Sequence, residues 1–378
     1  MKSKISNIIV VAVMAALCPV MSLAQIRTNI PNKATQLNIE RVATQPTNKA
    51  KSGSGKKGAQ VKEPEYALYR NLVRKNSWLV GQGEPITQEV ANHLPYYFRL
   101  SMKNDKGHYQ FVEALHGDSL TTAHPLSPYI LDKTHEDLTD SEETREWRRK
   151  ISTVGQWLLT SDLSGENMIE ERAYEAVDKN ANLIYVFQPV MIDSIHAICT
   201  YLNDWGLPVD IQEGDDHYYG SVVQITYGVN GNDSIVDFID GKGLRRYNEY
   251  LVDQIQYTFD NKDRMTSMTN HNVVGRLMND VSSYSGKSIK YDDKTGDYTV
   301  SFFDREKNPV KQFIPLADVR SNEIRVSLDN WGRESQIDLL DAPSLYEGVP
   351  VNRIRIEYDN KGNITNIVRE LAGDIENE

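Results

Sequence analysis

His196 and Cys199 are the side chains in this sequence that could act together as a base and a nucleophile. A cysteine thiolate activated by a histidine is a common arrangement for hydrolysis through a covalent intermediate. The residues from His196 to Leu202 alternate polar and apolar types, which predicts a strand with His196 and Cys199 on opposite faces. We therefore expect Cys199 to pack in the core as a small apolar residue.

Asp215, Asp216 and His217 form the densest group of side chains that could bind a metal or share a proton. They stand in an acidic stretch that is typical of a solvated turn, and the eight histidines are otherwise dispersed without a zinc-binding spacing. We expect no catalytic site, no cofactor and no metal. The alternative is a secreted hydrolase of unknown substrate that uses Cys199 with His196, or Asp215 with His217.

Aromatic side chains beside predicted turns are the strongest candidates for a binding surface. Rings that are exposed at a sheet edge can stack on sugars or contact a partner protein. The alternative is that tyrosine simply suits the surface of a strand. The candidate binding residues are Trp205, Tyr218, Tyr219, Tyr284 and Trp331.

Three segments show what must position these residues. Residues 255–259, 324–328 and 354–358 each alternate apolar and polar types and are followed by Asp-Asn-x-Gly or Asp-Asn-x-Asp. The alternation predicts half-buried strands. The tetrad predicts a tight turn, because its Asp can hydrogen-bond the backbone ahead and its Gly tolerates a positive φ angle.

Looser copies of the same pattern extend over most of residues 97–371. A short strand followed by a four-residue turn, repeated many times, is typical of an antiparallel meander. We predict a mainly β fold, an antiparallel hairpin-repeat sheet, with residues 161–378 as the repeat region. The looser copies are residues 98–107, 174–181, 201–206, 223–231 and 289–296.

Residues 65–160 are expected to form a part that combines N-terminal and inserted helices with the first hairpin. Two helices are predicted in this part of the chain. Residues 64–79 begin with Pro64 and Glu65 and carry apolar residues at helical spacing. Residues 141–159 follow Asp140, a residue favourable at a helix N-terminus, and also show helical spacing.

The first 64 residues predict export. Residues 1–24 have a short basic head, an apolar run and a small-residue end, which is typical of a signal peptide. Residues 25–64 are polar and basic, with eight Lys or Arg in residues 26–64, and predict a disordered linker ahead of an acidic body. We expect the mature chain in the periplasm, on the cell surface or outside the cell, without a membrane span.

The turn motifs resemble two repeat families. Residues 257–268 and 358–365 are similar to YD (RHS-type) repeats, and Asn203-Asp-Trp-Gly206 and Asp329-Asn-Trp-Gly332 are similar to WG repeats. The resemblance implies hairpins joined into a long sheet, but the copies are too few and unevenly spaced to imply a closed shell. The chain also resembles exported Bacteroidetes proteins.

These features together predict a function without catalysis. The net charge of −11 argues against a nucleic-acid partner. Stacked hairpins bury a continuous core and leave turns free for contacts. We therefore expect an exported, non-enzymatic β-repeat protein that presents a surface for binding protein or glycan at the cell envelope.

Overall fold

The computed structural model describes residues 66–122, 153–177, 181–208, 211–213, 217–219, 221–248, 251–280, 283–314 and 318–373, so the predicted signal peptide and linker lie outside the described residues. These residues belong to one compact unit, Lys62–Glu378. They consist of strands and turns apart from one four-residue helix, and the predicted mainly β fold is confirmed.

The helix α1 is Gln88–Ala91. The strands are β1 Tyr66–Tyr69, β2 Leu72–Lys75, β3 Trp78–Gly81, β4 Tyr97–Lys103, β5 Tyr109–His116, β6 Ser119–Leu120, β7 Val154–Ser161, β8 Met168–Glu175, β9 Leu183–Met191, β10 His196–Asn203, β11 Ile211–Glu213, β12 His217–Tyr219, β13 Val222–Tyr227, β14 Asp233–Phe238, β15 Gln254–Phe259, β16 Met265–His271, β17 Gly286–Tyr291, β18 Tyr298–Phe303, β19 Gln312–Ile314, β20 Val319–Ser321, β21 Glu323–Leu328, β22 Glu334–Leu339, β23 Ser344–Tyr346, β24 Val349–Val351, β25 Arg353–Tyr358 and β26 Ile364–Glu370.

Eighteen of the strands form one sheet. Each strand pairs antiparallel with the next along the chain, from β1 and β4 through to β25 and β26, with β6 beside β5. Four two-stranded ribbons lie in the connections: β2–β3, β11–β12, β19–β20 and β23–β24. The predicted meander is confirmed.

The pairing defines two edges of the sheet, which we call edge A and edge B. Edge A carries the short turns that follow β4, β7, β9, β13, β15, β17, β21 and β25. Edge B carries the longer loops that follow β10, β14, β16, β18 and β22.

Period-two alternation places the core on one face of the sheet. In β13 the side chains of Val223, Ile225 and Tyr227 are buried, whereas the residues between them are half-buried. Ile354 and Ile356 of β25 are buried in the same core, with an exposed residue between them. The strands therefore hold their register because a shift by one residue would expose every core side chain.

The predicted turn chemistry is present. Asp329 Oδ1 accepts hydrogen bonds from the backbone N–H groups of Trp331 and Arg333, each at 2.9 Å. Gly332 closes the turn with a φ of +71°. Asp263 takes the glycine position of the turn after β15 at a φ of +59°, a conformation that Asp adopts more readily than most residues.

The loops of edge B repeat with a regular period. Asp240, Asn272 and Asp304 begin equivalent turns at intervals of 32 residues. Asn248 and Asp280 begin second turns in two of these loops with the same interval. The period gives successive loops of edge B the same backbone path.

Gly243 and Gly241 lie in the edge B turn that begins at Asp240. They allow a test of whether this turn needs a left-handed backbone at Gly243. Gly243 has a φ of +77°, and a Cβ atom at either glycine would meet no other atom within 4 Å. We expect Gly243→Ala to lower the free energy of unfolding by about 1–2 kcal/mol, because a left-handed backbone is strained for alanine. Gly241→Ala is the matched control and is expected to be neutral or slightly stabilising in urea unfolding. Equal losses for the two variants would contradict the assignment.

The helix predicted over residues 64–79 is wrong. This segment forms β1, β2 and the first half of β3. Asn76 and Ser77 have φ angles of +48° and +71°, which makes a two-residue hairpin turn between Lys75 and Trp78. The apolar residues at helical spacing are buried by strands instead of by a helix. Asn76 is the residue in this segment that favours a turn, because Asn adopts a positive φ angle more readily than most residues.

The helix predicted over residues 141–159 is wrong in its described part. Residues 141–152 lie outside the described residues, and Val154–Ser161 is the strand β7. Trp157 and Leu159 are buried at strand spacing, and β7 pairs with both β5 and β8. This strand also crosses the expected domain boundary at residue 160.

The hairpin β2–β3, which we call the central hairpin, packs in the main core through Leu72, Trp78 and Leu79. Its tip contacts turns of edge A that are far apart in the strand order. The Asn76 N–H donates to Gly231 O at 2.8 Å, and the Trp78 indole N–H donates to Glu166 O at 3.3 Å. The sheet therefore curves around the central hairpin.

A buried ion pair anchors the central hairpin to the sheet. Arg74 makes two hydrogen bonds to the Glu171 carboxylate, at 2.7 and 2.9 Å, with side chains that are 2% and 0% exposed. The Tyr185 hydroxyl donates to the same carboxylate at 3.1 Å, and the guanidinium lies 4.6 Å from the centre of the Phe187 ring.

Candidate functional site

Four loops of edge B extend the sheet in the same way. At the ends of β10, β14, β16 and β18 the chain makes a tight turn that one isolated backbone bridge closes. The bridges are Leu202 with Pro208, Ile239 with Arg245, His271 with Leu277, and Phe303 with Pro309. Because strands lie about 4.8 Å apart, loops on alternate strands project at intervals of about 10 Å.

Three of these loops expose large apolar side chains, which we call the tip row. Their exposed fractions run from 51% for Val273 to 82% for Trp205. These exposed apolar side chains on neighbouring loops make this part of edge B a candidate interaction surface. The tip row consists of Trp205, Leu207, Leu244, Tyr247, Leu251, Val273 and Val274.

Hydrogen bonds join the loops after β14, β16 and β18, of which the first two carry five of the seven tip-row residues. Arg245 Nη1 donates to Val273 O at 2.8 Å, which ties the loop after β14 to the loop after β16. The N–H of Arg305 donates to Asn279 Oδ1 at 2.7 Å and ties in the next loop. These bonds hold the loops after β14 and β16 in a defined arrangement, which would lower the entropic cost of any binding by them.

Each turn of the row is also fixed internally. Hydrogen bonds from the backbone N–H groups of Leu244 and Lys242 hold the pKa of the Asp240 carboxyl below its usual value. Burial lowers the pKa of His271, whose Nδ1 lies 3.0 Å from Gly275 O. Asp240 therefore stays ionised and His271 neutral near pH 7, so the turns keep these bonds.

The five aromatic residues that we predicted as binding residues lie on different elements of the fold. Trp205 is in the tip row. Tyr218 and Tyr219 lie in β12, where they face Gln212 and Ile211 of β11 across the ribbon. Tyr284 is on edge B, but its side chain is buried against Phe302, so the exposed ring expected there is absent.

Trp331 lies at edge A, away from the tip row. It is half-buried, and its ring stacks on His93 with a centroid separation of 3.7 Å. Arg333 of the same turn donates to His93 O at 3.0 Å. These contacts join the last hairpins to the segment ahead of β4. Trp331 therefore has a structural role in this packing.

The residues of the hydrolase alternative are not brought together where they can be described. Cys199 is fully buried in β10, and His196 lies on the opposite face at the start of that strand. His196 Nδ1 is 2.9 Å from Asp193 in the turn after β9. Asp215 lies outside the described residues, and His217 pairs with Glu213 across the β11–β12 ribbon.

Metal-binding geometry is also absent from the described part of the chain, which has no cluster of three or more His, Cys, Asp or Glu side chains that could hold an ion. Within the same residues no helix has the length and hydropathy that crossing a membrane requires.

One half-buried carboxyl group, that of Glu334, stands apart from the tip row, near edge A. The Tyr298 hydroxyl donates to the Glu334 carboxylate, and the Tyr358 hydroxyl donates to the Glu334 backbone carbonyl at 2.8 Å. Burial raises the pKa of Glu334 to about 7, although the Tyr298 hydrogen bond opposes the shift. Burial is the larger cause that raises the pKa of Tyr96. The negative charge of Glu334 raises this pKa further, because the two groups are close.

The aliphatic members of the tip row were missed from the sequence. Leu244, Val273 and Val274 have the residue types of a core strand, and only their position inside turns distinguishes them. The signal that could have found them is the interval of 32 residues between Asp240 and Asn272, which places these residues in equivalent turns of one edge.

Comparisons with known proteins give little further information. No family model matches the chain, and no curated protein matches it. Among solved structures, the crystal structure of TcdB2-TccC3-Cdc42 is similar at 12% identity and a TM-score of 0.20, over 73% of this chain and 16% of that chain. That of TcdB2-TccC3-TEV is similar at 12% identity and a TM-score of 0.22, over 72% and 15%. The chain therefore spans less than a fifth of the length of either match.

Proposed function

We propose that the protein is an exported, non-enzymatic β-repeat protein that attaches to a component of the cell envelope through the tip row. The observation that carries the proposal is the set of seven exposed apolar side chains on three loops of one edge, two of which a hydrogen bond holds together. The signal-peptide pattern of residues 1–24 supports export.

The composition of the tip row favours an apolar partner surface. A glycan site needs flat aromatic faces beside hydrogen-bonding groups, whereas five of the seven side chains here are leucine or valine. Of the protein and glycan partners expected from the sequence, a glycan is therefore disfavoured. We further infer from the turn motifs that the hairpins are degenerate YD (RHS-type) repeats of an exported Bacteroidetes-type protein.

The proposal predicts a specific loss of envelope association. The full-length chain would be produced in a bacterial host, and its amount in the washed envelope fraction would be compared with the soluble fraction. We expect Leu244→Ser/Val273→Ser/Val274→Ser to lower the ratio about tenfold or more, because each buried aliphatic side chain contributes about 1.5–3 kcal/mol.

Edge A offers a matched control. Leu163 and Val229 are fully exposed apolar residues at turns of that edge. We expect Leu163→Ser/Val229→Ser to leave the envelope ratio unchanged. Equal retention of the tip-row variant and the control, or a wild-type chain found entirely in the soluble fraction, would refute the proposal.

A further inference from the structure

The loops of the tip row carry exposed cations among the apolar side chains. Lys242 precedes Gly243 and Leu244, and Arg276 follows Val274 and Gly275. Both are exposed, and neither belongs to an ion pair with another residue that the structure describes. Lys307, in the next loop, is also exposed, with its Nζ 3.9 Å from the centre of the Phe303 ring.

Most acidic groups of these loops are engaged within the protein. Asp240 Oδ1 accepts two backbone N–H groups of its own turn, and Asp304 Oδ1 accepts the N–H of Asn308 at 2.8 Å. Glu306 pairs with Arg305 at 2.6 Å. Asp204 is the exposed acidic residue of the tip-row loops in the described part of the chain, and it lies beside Trp205. The exposed charged side chains next to Leu244, Val273 and Val274 in sequence are cationic, although the chain as a whole is acidic.

The row combines the three residue classes that bind a lipid interface. Aliphatic side chains enter the boundary between headgroups and acyl chains, Trp and Tyr prefer the headgroup level, and Lys and Arg contact anionic headgroups. A bilayer surface also accepts each projecting side chain independently. A protein partner would need a separate complementary pocket for each loop, at intervals of about 10 Å.

We infer that the tip row docks on an anionic lipid surface, with its apolar side chains at the headgroup boundary and Lys242 and Arg276 against lipid phosphates. The inference rests on the proposed function, because it names the partner of the same surface. A partner protein with an acidic and apolar face is the competing outcome.

Vesicle co-sedimentation tests the inference with the purified full-length chain. The probes are vesicles of phosphatidylcholine with phosphatidylglycerol, and vesicles of phosphatidylcholine alone. We expect binding to the anionic vesicles that is at least about tenfold stronger than to the neutral ones and that weakens with added salt. Absence of binding to anionic vesicles, or equal binding to both, would overturn the inference.

Two variants separate the charged and apolar contributions. We expect Lys242→Gln/Arg276→Gln to weaken binding to anionic vesicles about tenfold, and Val273→Ser/Val274→Ser to weaken binding to both kinds of vesicle. Leu163→Ser/Val229→Ser at edge A is the control and should bind as the wild type does. All replaced side chains are exposed, and a melting curve for each variant verifies the fold. Vesicle binding that neither tip-row variant changes would also overturn the inference.

Failure of the inference is distinguishable from failure of the proposed function. In one outcome, the chain does not bind vesicles while its envelope association still depends on Leu244, Val273 and Val274. That result would show that the partner is a protein and not a lipid surface. If envelope association does not depend on these residues, the tip row itself is the wrong surface.

Discussion

Replacing Arg74 with methionine is expected to lower the free energy of unfolding by about 3–5 kcal/mol, a large fraction of the stability of a typical domain. The substitution leaves the fully buried Glu171 carboxylate without its counter-charge. Equilibrium unfolding in urea, followed by far-UV circular dichroism, would measure the loss.

Two controls make the Arg74 prediction specific. The double variant Arg74→Met/Glu171→Met removes both charges and should recover most of the loss, because apolar residues can replace a buried ion pair at little cost. Lys106→Met breaks an exposed ion pair with Glu166 and should change stability far less than Arg74→Met does, because solvent screens the pair. A loss from Arg74→Met as small as that from Lys106→Met would show that the central hairpin is not anchored by this pair.

Replacing Glu334 with glutamine is expected to stabilise the protein at alkaline pH. The folded state raises the pKa of this carboxyl from 4.5 to about 7, so the folded state holds the proton more tightly than the unfolded state. The wild type therefore loses stability as pH rises from about 4.5 through about 7, and the loss is on the order of 3 kcal/mol at about pH 8.

The glutamine variant has no proton to lose and still accepts the Tyr298 hydrogen bond. Its stability advantage over the wild type should grow from near zero at about pH 4 to its full value at about pH 8, measured by urea unfolding at each pH. Glu357→Gln, on the exposed face of β25, is the control and should follow the wild type. An advantage for Glu334→Gln that is constant with pH would contradict the raised pKa.

The sheet could be predicted from the sequence because each strand and each turn is specified by residues that are close together in the sequence. Residues 354–358 alternate strictly, and the Asp359 turn that follows needs only its own backbone to form. The curvature around the central hairpin could not be predicted, since it depends on pairs such as Arg74 with Glu171 that are 97 residues apart.

The candidate site was predicted only in part, for a different physical reason. Trp205 was identified because a large aromatic residue beside a turn is unusual. Leu244 and Val274 were not identified, because an exposed leucine or valine has the same residue type as a buried one. Their exposure follows from turn geometry that the 32-residue interval repeats.

The central hairpin places demands on the order of folding. Trp78 and Leu79 are among the first core residues of the described chain, yet the partner of Asn76 is Gly231, and Gln82 bonds to Asp263 across 181 residues. Gly231 and Asp263 are synthesised long after the central hairpin. The apolar side chains of the hairpin therefore stay exposed until these later residues have been made. Contacts of such long sequence separation form later than the local hairpins, because a longer loop must be closed first. Enclosure of this hairpin is therefore a late event that requires most of the sheet to be present.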